Sequence, residues 1–399
     1  MAELLDLAEA QARLIALAPQ MPIVTASVPD GQIRYLAHDL TAQRTQPAAD
    51  LSAMDGYAIC GDGPWRKVGE SRAGQPFEGR IMPGECTRIS TGAHMPDGCD
   101  RVLIQENAQV DANRVTLAPG ETIPPPQRHV RLKGFDFARG EMVLAGGTRL
   151  GPAQRALALA SGHASVPHHH APVVHVLDSG DELAADPTRL AAHQIPASNG
   201  PMIAAMIAPF VGSAAMLGPV ADDRGALAQA LEHAEAADIL ITSGGASVGD
   251  HDLIQHALRD WGAEIAFWKV AIKPGKPLMV ATRKREEGQQ VILGLPGNPV
   301  SSFVTAFLFA LPLVRAALGD PDPLPKTSTR IASEDLPATG KRREFVRGVS
   351  DGEMVRLAGS QDSSALMALA QADCLIDRPP GADPVRAGER VPVYNLQNG

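Results

Sequence analysis

The segment 173–318 constrains the fold more than any other part of this 399-residue chain. Apolar runs at 173–177, 239–242, 278–281 and 291–293 read as buried strands. Helical patterns occupy 201–210, 226–236, 253–260 and 300–318. Strands alternating with helices predict a parallel α/β sheet. In such a sheet a ligand sits beyond the carboxyl ends of the strands, so the loops that follow them are where chemistry is sought.

Four such loops stand out. Ser243-Gly244-Gly245-Ala246-Ser247-Val248-Gly249 follows a strand and precedes a helix. Its glycines permit tight backbone, and the free N–H groups at a helix start suit an anion. It reads equally as a phosphate-binding loop or as a glycine-rich connection with a helix cap. Lys273-Pro274-Gly275-Lys276-Pro277, with Lys269 nearby, presents two ammonium groups on a stiff turn, which suits an oxyanion. Leu295-Pro296-Gly297-Asn298-Pro299-Val300-Ser301 is rigid and opens the long helix, with Ser301 near its first turn. Ser179-Gly180-Asp181-Glu182-Leu183 places acids at a strand end, as do Asp250 and Asp252 after the Gly-Gly loop. One or two carboxylates plus ligand phosphates are the usual environment of Mg²⁺, and helix capping is the competing role.

The flanks differ. Residues 1–18 read as an amphipathic helix with no basic leader, and Pro19 ends it. From 23 to 136 short apolar runs (57–59, 87–90, 102–105, 114–117) separated by Gly, Pro and Asp turns predict a β-rich module. A helix is expected at 154–161. His163, His168, His169, His170 and His175 read as a solvated linker rather than a metal site. The prolines of 320–325 mark a linker, and 326–399 reads as a small β domain with strands at 345–349 and 390–393 and a helix at 364–370.

Composition excludes several functions. With 36 Lys+Arg against 45 Asp+Glu the net charge is −9, which argues against a nucleic-acid partner. Aromatics at 4% leave no base-stacking platform. Four scattered cysteines lack a C-x-x-C pair and read as reduced thiols of a cytoplasmic protein. Residues 190–220 carry no Asp, Glu, Lys or Arg, but four prolines interrupt them, so a buried helix followed by a buried strand is expected rather than a membrane span. No nucleophile elbow or H-E-x-x-H is present, so covalent catalysis is not suggested. Together the loops imply a pocket for an anionic, phosphorylated ligand.

With SAMDGYA at 52–58, RISTGA at 88–93 and RLKGFD at 131–136, the loops make seven motifs in a fixed order. In that order they resemble the molybdopterin molybdenumtransferases (MoeA), related to the C-terminal domain of gephyrin. The resemblance implies a multidomain α/β plus β fold. Its parts would be an elongated dimerisation domain (1–22 and 137–169), a β-rich insertion (23–136), an α/β molybdopterin-binding domain (170–319) and a C-terminal β domain (320–399). It implies Mg²⁺-dependent insertion of molybdate into adenylylated molybdopterin with release of AMP, by a homodimer whose clefts lie between subunits. Transient contact with other cofactor-biosynthesis proteins or molybdoenzymes is implied too. By matching motifs, Lys276, Ser301, Arg342 and Ser363 would bind molybdate, and Lys269, Lys273, Pro296 and Pro299 would line the pterin side. Asp55, Thr91, Asp136, Glu182, Asp222 and Asp252 would be the functional polar residues, with Glu182 and Asp252 on the metal. Ser243, Gly244, Gly245 and Ser247 would cradle the cofactor.

The chain departs from the family pattern in places. Asp178-Ser179 stands where relatives have Ser-Thr, Ala246 stands where Val is usual, and 361–364 replaces a common Gly-Ser pair. A non-catalytic pterin carrier is therefore the competing hypothesis, and tungstate the competing oxyanion.

Overall fold

The computed structural model describes residues 4–28, 31–212, 214–244, 253–286 and 288–396. Its largest sheet has seven strands, in the spatial order Leu4–Leu5, Glu264–Val270, Pro277–Lys284, Gln289–Leu295, Ile239–Ser243, Val174–Ser179 and Ala215–Val220. The last four are mutually parallel, as the alternation predicts. Pro277–Lys284 runs antiparallel to both neighbours. The few residues between Lys284 and Gln289 are too short for a crossover, so those two strands can only form a hairpin.

Side chains alternate between the faces of each strand. Val176, Ile241 and Leu293 join one core under the helices Leu7–Ile15, Asn199–Val211 and the long helix from Pro299. Leu177, Leu240 and Ile292 join another under Arg224–His233 and Leu253–Asp260. The long helix runs from Pro299 to Ala317 through a π segment, Ala306–Ala310. It is apolar enough to cross a membrane, but 89% of it is buried inside the protein, so it is a core helix. Pro312 has no N–H for the Leu308 carbonyl four residues back. Gln11 Nε2 donates to that oxygen instead at 2.9 Å, from within the core.

That contact corrects one expectation. The N-terminal helix, grouped by sequence with 137–169, packs in the α/β core, and Leu4–Leu5 pairs with Lys269 and Val270. A second correction concerns the histidines: Val166–His169 is a strand beside Ile23–Ala26, and His168 is only 4% exposed. A third is Ala215–Val220, expected buried, which forms the sheet edge with Met216 exposed.

Six further strands form the C-terminal sheet, from Ile272–Lys273 through Arg343–Ser350, Met354–Leu357, Thr327–Ala332 and Arg390–Asn395 to Cys374–Arg378. Cys374–Arg378 also pairs with Arg343–Ser350, which closes a small barrel and leaves few free edges. These sheets form one compact unit (Met1–Ala37, Gly147–Arg149, Pro167–Gly399). The second unit (His38–Gly146, Leu150–Val166) holds a six-stranded sheet built on a core of Ile59, Trp65, Cys86 and Leu103, with the helix Pro152–Ala160. All four cysteines are free thiols.

Candidate functional site

The register Asp178↔Ser243↔Leu295 aligns the ends of three parallel strands, so Ser179, Gly244 and Pro296 start their connections side by side. Gly244 holds a φ of +97°, and a Cβ there would sit 2.9 Å from the Ser179 carbonyl. Asn199, opening its helix, donates through Nδ2 to Ser243 Oγ at 2.9 Å and to the Gly297 carbonyl at 2.6 Å. One amide thus ties two of the loops together. The three loops and Asn199 wall a pocket of about 60 Å³ with Asp178, Ser179, Glu182, Ser243, Gly244, Gly297 and Pro299 among its residues.

Asp178 is 2% exposed. Its Oδ2 accepts the Gly200 N–H at 2.9 Å. Burial pushes its pKa up, against the opposing pull of the Gly200 N–H and the Ser243 hydroxyl. The folded state therefore holds this proton more tightly than the unfolded chain. Stability linked to Asp178 is fully present in acid and is lost as pH rises through the raised value. Asp178→Asn is expected to remove that loss. In urea unfolding the variant should exceed the wild type at neutral pH and converge with it near pH ~4; parallel curves across the range would contradict this.

The second group of residues surrounds the start of the long helix. Ile272–Lys273 runs parallel to the beginning of Arg343–Ser350, which sets the lysine loop beside Arg342. Lys273 Nζ lies 3.2 Å from Glu344 Oε2, and Arg342 Nη1 reaches the Ile272 carbonyl at 3.4 Å. Gly275 has φ +97°, and a Cβ there would lie 2.5 Å from Thr305 Cγ2. Glycine is what lets the loop press onto the helix that carries Ser301. Gly275→Ala should cost roughly 1–3 kcal/mol and displace Lys276, lowering activity about tenfold; an unchanged rate would contradict the packing argument. At the helix start the Val300 N–H donates to the Ser363 carbonyl at 3.1 Å, and Asn298 Nδ2 to Ser363 Oγ at 3.3 Å. The structure thus brings together Lys273, Arg342, Ser301, Ser363 and the loop of Lys276. Lys276 is exposed and Ser301 buried. Pro296 is buried just before this helix, and Lys269 lies in the strand paired to Pro277.

The acids form a third group. The Asp222 N–H donates to Asp181 Oδ1 at 3.0 Å, and burial followed by the charges of Asp181 and Glu182 pushes the Asp222 carboxyl up. A gathering of like charges of this kind would be relieved by a cation. Gly245, Ser247 and Asp252 lie outside the described residues.

In the second unit the Thr91 N–H and hydroxyl both donate to Asp55 Oδ1, at 2.6 and 3.0 Å. These bonds, with the Arg88 charge, hold the Asp55 carboxyl below its usual value. Val130–Arg131 pairs with Leu51–Ser52, and the Asp136 N–H binds the Gln46 carbonyl. The three motifs of this unit therefore meet in one place.

Comparison with known proteins agrees along the whole chain. The MoeA N-terminal region (domains I and II) matches residues 5–162, the probable molybdopterin binding domain 175–316 and the MoeA C-terminal region (domain IV) 329–396. The molybdopterin molybdenumtransferase of Nostoc sp. is 34% identical over 91% of this chain and 86% of its own. That of Haemophilus influenzae is 33% identical over 90% of each. The chain belongs to the molybdopterin molybdenumtransferase (MoeA) family. A MoeA protein structure from Pyrococcus horikoshii superposes with a TM-score of 0.83 over 99% of this chain and all of that one at 23% identity, a likeness of fold. As a MoeA-family member the protein is a transferase of molybdenum cofactor biosynthesis.

Two residues that shape the candidate site are not evident from the sequence. Asn199 lies just before the expected helix start, and an Asn ahead of an apolar helix is a cap signal that could have flagged it. Arg347 sits inside an apolar run. It is 1% exposed, and its Nη2 donates to the Ser360 and Asp362 carbonyls at 2.7 and 3.0 Å, which shapes the loop of Ser363.

Proposed function

We propose that the enzyme inserts molybdate into adenylylated molybdopterin and releases AMP, with Mg²⁺ required. The observation that carries this reading is the convergence of the lysine loop, Arg342 and Ser363 on the start of the helix that holds Ser301. A tetrahedral dianion calls for such a set: Lys276 and Arg342 supply charge-assisted hydrogen bonds, and Ser301 and Ser363 supply hydroxyls. Lys269, Lys273, Pro296 and Pro299 line the pterin side, and Ser243, Gly244, Gly245 and Ser247 cradle the cofactor. The bond broken is a phosphoanhydride, so the protein's work is positioning and charge neutralisation rather than nucleophilic attack.

Among the described residues no cluster of three or more His, Cys, Asp or Glu side chains is placed to hold a metal ion, and the charges of Asp181 and Glu182 bear on Asp222 alone; a hard divalent cation with oxygen ligands would add Asp252 to these acids. Glu182 and Asp252 would hold Mg²⁺, with Asp222 beside them, and the ion would polarise phosphoryl oxygens when bound. Asp55, Thr91 and Asp136, from the second unit, complete the cleft across a homodimer. Leu159, 64% exposed on the helix Pro152–Ala160, is an apolar contact point suited to that dimer. The enzyme works in the cytoplasm and hands its product to other cofactor-biosynthesis proteins or molybdoenzymes.

The test is AMP release from purified enzyme, adenylylated molybdopterin, molybdate and Mg²⁺. Release well above a no-enzyme control, abolished by chelation of Mg²⁺, is expected. Tight pterin binding without AMP release would instead make the protein a carrier.

A further inference from the structure

Two acceptor oxygens on the wall of the strand-end pocket have no partner. Asp178 Oδ1 and Asn199 Oδ1 are both shielded from solvent, and neither has a hydrogen bond of good geometry among the described residues; the Ser243 hydroxyl is the donor that bears on the Asp178 carboxylate. Their orientations are fixed by bonds already made. Asp178 uses Oδ2 for the Gly200 N–H, an approach that glycine at 200 permits, since a Cβ there would lie 2.5 Å from that oxygen. Asn199 uses Nδ2 for Ser243 Oγ and the Gly297 carbonyl, which fixes the amide with its oxygen opposite. A buried acceptor left unpaired costs about 1–3 kcal/mol. Two at one pocket form a recognition element that a ligand with N–H donors would satisfy.

We propose that Asp178 and Asn199 are specificity-determining residues that bind the 2-amino and N3–H donors of a pterin ring edge. This deepens the proposed function and rests on it. The substrate named there carries two heterocycles, and their edges differ. The pyrimidinone edge of a pterin offers two adjacent N–H donors. The adenine amino group is flanked by ring acceptors, which two acceptor oxygens would repel. A pocket of about 60 Å³ admits a ring edge and leaves the rest of the bicycle outside. Glu182, Ser243 and Gly244 line the same pocket.

The experiment is calorimetric titration of the full-length wild type and Asp178→Asn with 6-hydroxymethylpterin, its 2-oxo analogue 6-hydroxymethyllumazine, and AMP. With asparagine at 178, the oxygen is retained by Gly200 and an NH₂ group faces the pocket. The wild type is expected to prefer the pterin over the lumazine by at least ~10-fold, the value of one unpaired polar group. Asp178→Asn should erase or invert that preference while remaining folded by thermal melting. Asn199→Ala, which removes the second acceptor, should lower the preference as well. Equal binding of both pteridines by the wild type, an unchanged preference in Asp178→Asn, or a loss confined to AMP would overturn the proposal. Failure of the wild type to bind either pteridine would overturn it too, even with AMP release intact, so the two readings fail separately.

Discussion

Replacing Lys276 with alanine is expected to lower molybdate-dependent AMP release by about 10²- to 10³-fold, the usual loss when one preset donor to a developing or bound oxyanion is removed. Lys276 sits on a turn pressed onto the helix of Ser301, through a glycine that tolerates no side chain. Its ammonium is exposed on that rigid base, so only the side chain itself remains to be ordered when the anion arrives. Because the side chain supports no core, thermal stability should stay within a degree or two of the wild type. Lys284→Ala, an exposed lysine at the far end of the following strand, serves as the control and should retain full activity. Equal activity of both variants would remove Lys276 from the oxyanion site.

The largest expected effect on stability belongs to Arg347→Ala. The guanidinium is buried in the barrel and bridges the Ser360 and Asp362 carbonyls, while the Arg347 backbone exchanges hydrogen bonds with the Gln361 side chain at 3.0 and 3.1 Å. Truncation leaves two carbonyls unpaired and a cavity of side-chain size, at a cost of roughly 3–5 kcal/mol. Calorimetry should show a lower transition for the C-terminal barrel. The same loop delivers Ser363 to the helix start, so the variant that still folds should also show a raised KM for molybdate. Arg347→Lys keeps a charged donor on a shorter side chain without the planar guanidinium and should fall between the two. A melting temperature unchanged in Arg347→Ala would contradict the clamp.

The contrast between these residues shows what a sequence can reveal here. The lysine loop, the Gly-Pro loop before the long helix and the acids after the first strand were legible. Strand–helix alternation places strand ends, and Gly and Pro at those ends are rare unless the backbone has a special shape. Leu253–Asp260 and three of the parallel strands, Val174–Ser179, Ile239–Ser243 and Gln289–Leu295, were recovered for the same reason, whereas Pro277–Lys284 runs antiparallel. The antiparallel hairpin was not, because helix–strand alternation says nothing of a link as short as 285–288. The N-terminal helix is amphipathic whichever core it covers, so its partner was invisible until Gln11 was seen capping the carbonyl freed by Pro312. His168 looked solvated because three consecutive histidines suggest a loop, whereas a strand buries every second one. Asn199 and Arg347 act through backbone carbonyls far away in sequence, and pattern alone does not encode such contacts.

The central claim is that these residues form a molybdate-inserting site. A single-turnover experiment tests it most directly, with enzyme in excess over adenylylated molybdopterin and both products counted. The account predicts one AMP released for each molybdenum atom that becomes pterin-bound, with both signals lost together in Lys276→Ala. AMP release that proceeds equally without molybdate, or molybdenum bound without AMP release, would contradict it.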